Sequence, residues 1–488
     1  MPPVSVFSLP EKVLQFGTGV LLRGLPDYFI DRANAQGIFN GRIVVVKSTD
    51  TGGADAFTQQ DGLFTQLVRG IEDGHEVSQI LVNSSISRVL SAREHWKEIL
   101  SCAANPEMQV IISNTTEVGI RLVEDNIHDS PPVSFPGKLL AFLHERYQRL
   151  GNDPAHGMVI VPTELITDNG DKLREIVLQL AAQNGLDKAF IDWLKEANDF
   201  CNSLVDRIVP GKLPAPEKEK MEKALGYTDE LMIMSECYRL WAIATKRPRT
   251  ASILSFSRAD NGVVLAPDIT RFRELKLRLL NGSHTFSCGL AVLRGFTTVK
   301  EAMTDERFVH YISELMFSEI APAITNEQLS PGEAKDFALT VLDRFRNPFI
   351  EHLWLNITVQ YSSKMAMRNV PILMEHYHRD GSVPRHMGLG WAAYLLFMRT
   401  RKDAQGRYTG NWQGREYPVQ DDHAEILCAA WKDHAPDSQV VEAVLGNTSL
   451  WGSDLRLLPG FAAAVTEYVE SLRKEVTFEL FPSSTIHS

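Results

Sequence analysis

Short apolar runs alternate with longer amphipathic stretches through the first half of the chain. Val13-Leu-Gln-Phe16, Ile43-Val-Val-Val46, Val110-Ile-Ile-Ser113 and Met158-Val-Ile-Val-Pro162 read as strands buried on both faces. Residues 92–102, 137–150 and 172–184 carry a helical period between them. Leu63-Phe-Thr-Gln-Leu-Val-Arg69 and Gln79-Ile-Leu-Val82 read as a hairpin around Glu72-Asp-Gly-His75. Strands alternating with helices predict an α/β fold with a Rossmann-like, doubly wound sheet. After Pro267-Asp268 the strand signals nearly stop. Residues 301–320, 333–345, 352–367, 389–399 and 461–474 read as helices separated by Pro and Gly. The expected division is therefore a dinucleotide-binding Rossmann domain over residues 1–265 and a mostly α-helical substrate and catalytic domain over 266–488.

The first strand runs into Gly17-Thr-Gly19, and Val20 to Asn34 then has a helical period with Pro26 in its first turns. Strand, glycine turn, helix and strand form the unit that binds dinucleotides, with pyrophosphate at the helix N-terminus. The fingerprint is partial, because its third glycine position is Leu22. Phe16, Gly17, Thr18 and Gly19 are the candidate cofactor contacts. Arg23 reads equally as a phosphate ligand or a solvated helix residue. Asp50, after the second strand, would accept the ribose hydroxyls and favour NAD, while Lys47 nearer the strand end keeps NADP open. Asn114 and Thr116 follow the Val110 strand, and Thr163 to Gly170 follows the Met158 strand. Both groups fall at the sheet edge where ligands gather, although each alone also reads as an ordinary turn or cap.

Chemistry concentrates in Lys276-Leu-Arg-Leu-Leu-Asn281-Gly-Ser-His284. Residues 269–293 read as one helix. At roughly 100° per residue, His284 lies about 80° and Asn281 about 140° round from Lys276. An amine that sheds its proton, an amide that donates to an oxyanion and an imidazole that orients a hydroxyl are the groups a ketone reductase needs. Residue types alone also describe an amphipathic helix with a solvated Lys and Asn, and the nucleotide-binding signal upstream is what shifts the balance. Arg344-Phe-Arg346 together with Lys364 and Arg368 supply four cations that suit a carboxylate-binding corner or a charged surface.

The chain has 488 residues, 44% hydrophobic and 23% charged, enough for two cores. Its net charge of −11 argues against nucleic acid or an anionic membrane as partner. Five scattered cysteines with no CxxC argue against a disulfide framework or a Cys-based metal site and fit a reducing cytoplasm. No N-terminal signal pattern is present, and no run approaches the ~18 apolar residues of a membrane span. The expected partner is a small-molecule substrate, with monomer and small homo-oligomer both open.

These stretches together resemble the polyol-specific long-chain dehydrogenase/reductase (mannitol dehydrogenase) family. Lys276-x4-Asn281-x2-His284 has the family's catalytic spacing, and Gln15-Phe-Gly-x-Gly19 with Leu22-Arg23 matches its cofactor loop. Gln60-Asp-Gly-Leu-Phe-Thr65, Val205-Asp-Arg-Ile208 and Asn347-Pro348 match further family stretches. Ser113 to Glu117, Pro162 to Ile166 and Tyr417-Pro-Val-Gln-Asp-Asp422 look most like the members acting on tagaturonate. The resemblance implies an NAD-linked, metal-free interconversion of D-tagaturonate and D-altronate, with Lys276 as acid and base. Alternatives are the fructuronate/mannonate or fructose/mannitol activities of sibling members, or an NAD-binding regulator without chemistry. Mannitol-type members carry an additional oxyanion Asn where this chain has Leu165. Either Asn169 substitutes from the same loop, or Asn281 works with fewer partners.

Overall fold

A computed structural model describes residues 2–48, 55–115, 119–431 and 435–474. The chain forms two compact units, Met1–Gly70 with His75–Thr270, and Ile71–Gly74 with Arg271–Ser488.

The first unit is built on a six-stranded parallel sheet. Its strands are β1 (Glu11–Phe16), β2 (Arg42–Lys47), β3 (Ile86–Ser91), β4 (Val110–Ser113), β5 (Val159–Pro162) and β6 (Asp199–Phe200). Across the sheet they run β3-β2-β1-β4-β5-β6, the strand order 3-2-1-4-5-6 of dinucleotide-binding folds. Leu14 of β1 lies between Val44 of β2 and Ile111 of β4. The strands read as unbroken apolar runs because each feeds two cores. Leu14, Phe16, Val44, Ile111 and Ile160 pack on one face with the helices Phe135–Leu150 and Asn169–Gln183. Val13, Ile43, Val45, Ile112 and Val161 pack on the other with the helix Pro26–Ala35 and with Trp241 and Phe256.

Three features differ from the sequence reading. The stretch from Val20 is two helices, Val20–Gly24 and Pro26–Ala35, because Leu25 before the proline leaves helical geometry (φ −134°, ψ −75°). The hairpin forms as Phe64–Glu72 and His75–Asn83, but Ile233–Ser235 adds a third strand to it. A separate three-stranded sheet joins Ser203–Asp206, Leu240–Ala244 and Val263–Ala266. These strands of three to five residues are too short for a period of two to stand out.

The second unit is mainly helical. The helix Arg385–Phe397 is buried from His386 to Phe397, as expected of a helix apolar all round, and it packs against the helices Ser283–Arg294 and Phe461–Arg473. The long helices expected over 301–320 and 352–367 are broken. The first becomes Val299–Ala302, Glu306–Glu314 and a π segment Leu315–Ile320, with the Asp305 carboxylate capping Phe308 N–H. The second becomes Trp354–Ile357, Tyr361–Lys364 and a π segment Met365–Asn369. A three-stranded antiparallel sheet, Thr400–Lys402, Tyr408–Trp412 and Arg415–Val419, occupies a stretch where no strands were expected. Its second turn is Gln413-Gly414, both at positive φ (50° and 81°), the geometry that matches strand twist in a two-residue hairpin. Among the described residues no helix is long and apolar enough to cross a membrane.

Candidate active site

In the first unit, the strand order reverses between β1 and β4, and Gly17 and Asn114 follow those strands directly. Gly17 has φ +128°, and a Cβ there would lie 2.9 Å from both the Asn114 carbonyl oxygen and Leu22 Cδ1. Only glycine fits that turn. Its N–H donates to the Val46 carbonyl. A Cβ on Gly19 would meet nothing within 4 Å, so space lies open beside the start of the helix Val20–Gly24. The Asn114 amide donates to the Thr163 carbonyl and hydroxyl at 3.1 and 3.0 Å, and the Thr163 hydroxyl donates to the Ser113 carbonyl at 2.7 Å. The ends of β4 and β5 are thereby tied into one rigid edge, with Thr18 half-buried beside it.

Several expected contacts turn out otherwise. Phe16 is fully buried with its ring on Phe135, and its carbonyl accepts Asn114 N–H, so its side chain belongs to the core. Arg23 is neither solvated nor presented to a phosphate. Its guanidinium is buried over the rings of Phe57 and Phe64 and donates to the Leu231 carbonyl. Asn169 is spent on the backbone: its amide NH2 faces the carbonyls of Pro162, Glu164 and Ser203, and its oxygen accepts Gly170 N–H and Ser203 N–H. It has no donor left for an oxyanion, while Leu165 is exposed. Asp50 and Thr116 lie outside the described residues.

In the second unit, Lys276 and Asn281 stand on a π-helical segment, Leu275–Gly282, and His284 opens the α-helix Ser283–Arg294. The uniform α-helix expected over 269–293 is thus corrected. In a π turn N–H groups pair with the carbonyl five residues back, so residues five apart come into line. Lys276 and Asn281 are five apart and fall on one face, closer than the 140° expected. Both are half-buried.

This π segment packs against Met365–Asn369. Arg278 Nη1 donates to the Met367 and Arg368 carbonyls at 3.0 and 2.9 Å, while its Nε pairs with Glu274 at 2.9 Å. In return Arg368 Nη1 donates to the Thr285 hydroxyl at 3.2 Å, and that hydroxyl donates to the Asn281 carbonyl at 2.7 Å. The link runs from a candidate substrate cation to the candidate oxyanion donor.

His284 is buried, stacked on Phe345 with centroids 4.0 Å apart and met edge-on by His352 and Trp354 at 5.2 and 5.8 Å. Burial, then His352, Arg344, Arg368 and Lys364, push its imidazole well below the ordinary histidine range, so it stays neutral at neutral pH. Its Nε2 is buried without a hydrogen-bond partner among the described residues, as is Arg368 Nε. Arg344, Lys364 and Arg368, separated by up to 24 places in the chain, therefore all act on the charge of one imidazole. Lys364 also donates to the Ile357 carbonyl at 2.8 Å, and burial and Arg368 push its amine down. The fourth cation, Arg346, is exposed and faces Asp343 at 3.9 Å. Sequence reasoning missed His352, Phe345 and Trp354. No local pattern marks them, because they meet His284 only through the fold. Such an arrangement can donate to a developing alkoxide, exchange a proton with it and hold an anionic group nearby.

Comparison with known proteins matches residues 11–253 to the mannitol dehydrogenase Rossmann domain and residues 268–473 to the mannitol dehydrogenase C-terminal domain. The altronate oxidoreductase of Bacillus subtilis (strain 168) is 36% identical over 469 residues, covering 95% of this chain and 93% of that protein. The altronate oxidoreductase of Shigella flexneri is 35% identical over 472 residues, covering 95% and 94%. Among solved structures, the Pseudomonas fluorescens mannitol 2-dehydrogenase ternary complex with NAD and D-mannitol is 25% identical with a TM-score of 0.65, covering 96% of this chain and 93% of that one. A substrate-free D-sorbitol dehydrogenase is 20% identical with a TM-score of 0.77, covering 99% and 97%.

Proposed function

The chain belongs to the mannitol dehydrogenase family, and from that premise we propose that it interconverts D-tagaturonate and D-altronate with NAD as cofactor. The class, an oxidoreductase acting on a CH–OH group, comes with the family and with the altronate oxidoreductases it resembles. What carries the sugar-acid reading is that Arg344, Lys364 and Arg368 all act on the neutral His284, eight residues from Lys276, and that Arg368 is tied through Thr285 to the Asn281 carbonyl. A polyol has no charge for three cations to meet, whereas a hexuronate-derived acid has one.

The cofactor's fit rests on Gly17, whose positive φ and close approach to Asn114 form the tight turn, and on the open space at Gly19. The bound nicotinamide supplies or accepts the hydride. Lys276 gives its proton to the alkoxide oxygen in reduction and takes it from the alcohol in oxidation. Asn281 donates a hydrogen bond to the same oxygen as negative charge grows there. His284, neutral, meets a hydroxyl or the carbonyl oxygen through Nε2. Arg344, Lys364 and Arg368 hold the carboxylate. With Asn169 committed to the backbone, oxyanion stabilisation is assigned to Asn281.

The test is the initial rate of NADH oxidation with D-tagaturonate, D-fructuronate and D-fructose at matched concentrations, repeated with NADPH. Preference for tagaturonate supports the reading. Preference for either other substrate moves the chain to a sibling activity, and silence with all three despite NADH binding points to a regulator. Proton transfer through Lys276 needs no metal. A chelator is therefore expected to leave the rate unchanged, and an inhibition reversed by added metal would contradict this mechanism.

A further inference from the structure

Given the sugar-acid reading above, we propose that His352 contacts the substrate carboxylate directly and so sets the preference for sugar acids over neutral sugars. Its loop is pinned around the next residue, Leu353. The His352 carbonyl accepts Val299 N–H at 2.9 Å, and Trp354 N–H donates to the Thr297 carbonyl at 3.0 Å, a bridge of β type between Thr298 and Leu353. The ring stands edge-on to His284, with centroids 5.2 Å apart.

The titratable groups that act on it come from three elements: the cations Arg344 from Pro331–Arg346 and Lys364 from Tyr361–Lys364, and the neutral His284 from Ser283–Arg294. Its neighbour Glu351 is held away in an ion pair with Lys300. Burial, then Arg344 and Lys364, push the His352 imidazole down. A carboxylate among these cations reverses the balance, because an anion in contact favours the protonated ring. His352 then takes up a proton and becomes a charge-assisted donor. His284 is not suited to that role. It lies deeper, stacked on Phe345, and stays neutral to meet a hydroxyl. The two imidazoles divide the substrate between them.

The test compares the wild type with His352→Asn, which keeps a polar side chain and removes the titrating ring. Binding of D-altronate is followed by calorimetry in the presence of NADH, which prevents turnover, in two buffers of different ionisation enthalpy. The wild type is expected to take up a proton on binding above pH 7. In the variant the uptake disappears and the Kd rises about tenfold, the scale of one charge-assisted hydrogen bond. The ratio of kcat/KM for D-tagaturonate to that for D-tagatose, which lacks the carboxylate, is expected to fall by a similar factor. Unchanged altronate affinity or an unchanged ratio would overturn the assignment. So would an equal loss with both sugars, which marks a merely structural residue. If the wild type fails to reduce tagaturonate yet binds altronate with His352-dependent proton uptake, the carboxylate contact stands and the substrate assignment falls. If the wild type does not bind altronate, both fall.

Discussion

Asp27 is completely buried, with Gln15 donating to its carboxyl at 3.4 Å, and burial pushes it up to about 8, against the pull of Gln15 and Arg23. An acid whose folded value lies above its unfolded one stabilises the fold in its protonated form. That contribution is complete below the unfolded value of 3.8 and is lost as pH rises through about 8. The Tm of Asp27→Asn relative to that of the wild type is therefore expected to rise steadily from pH 4 to pH 9. Equal losses in both proteins would show that Asp27 ionises freely. Lys276 makes the sharper prediction for catalysis. Lys276→Ala should lower turnover by about 10²–10⁴, the usual worth of a positioned proton donor, with NADH affinity, read by fluorescence titration, nearly unchanged. A variant that keeps most of its turnover would remove Lys276 from the mechanism. At this scale the sequence was informative about type and spacing, but Arg23 and Asn169 show its limit. An arginine six residues past Gly17 is indistinguishable in sequence from a phosphate ligand until the rings of Phe57 and Phe64 close over it.

At the scale of elements, two of the three π segments described above matter more than any helix around them. Leu275–Gly282 carries Lys276 and Asn281, and Met365–Asn369 carries Arg368. Arg278 joins them through the carbonyls of Met367 and Arg368. A π turn misaligns main-chain carbonyls with their usual partners, and a guanidinium with several donors in a fixed fork suits such a site. Arg278→Met is expected to raise KM for the sugar acid several-fold and to lower kcat, with KM for NADH unchanged. Arg278→Lys, retaining one donor group, should recover part of the loss. If Arg278→Met altered the NADH constant as strongly, the effect would be general destabilisation. Nothing in the period of residues 269–293 announces the π register, because an inserted residue shifts an apolar stripe by an amount that a window of mixed polar and apolar residues absorbs.

At the scale of the whole molecule, the chain carries −11 yet brings three cations to bear on one imidazole's charge. Global and local charge therefore oppose each other for an anionic substrate. Salt screens the long-range repulsion and, more weakly, the partly buried contacts. KM for D-tagaturonate is expected to change with ionic strength between 0.05 and 0.5 M (~14 to ~4 Å Debye length), whereas KM for a neutral ketose should stay flat. A response shared by both sugars would remove carboxylate recognition as its cause. The fold class was legible because β1, β2, β4 and β5 are apolar on both faces, a pattern only a covered parallel sheet requires. The short strands of the first unit and the antiparallel sheet Thr400–Lys402, Tyr408–Trp412 and Arg415–Val419 were not, since three to five residues hold too few alternations to set a period.

The sequence by itself determined what depends on neighbours along the chain. That includes the alternation of strand and helix, the glycine turn after β1 and the order Lys276, Asn281, His284. Each follows from local sterics or from a short repeat. Only the tertiary structure decided what depends on residues far apart in the chain. It brought Arg344, Lys364, Arg368 and His352 to His284, used up Asn169 on the carbonyls of Pro162 and Ser203, and buried Arg23. The reason is that the charge state and free donors of a side chain are set by burial and by through-space partners, and neither is written in any single stretch of sequence.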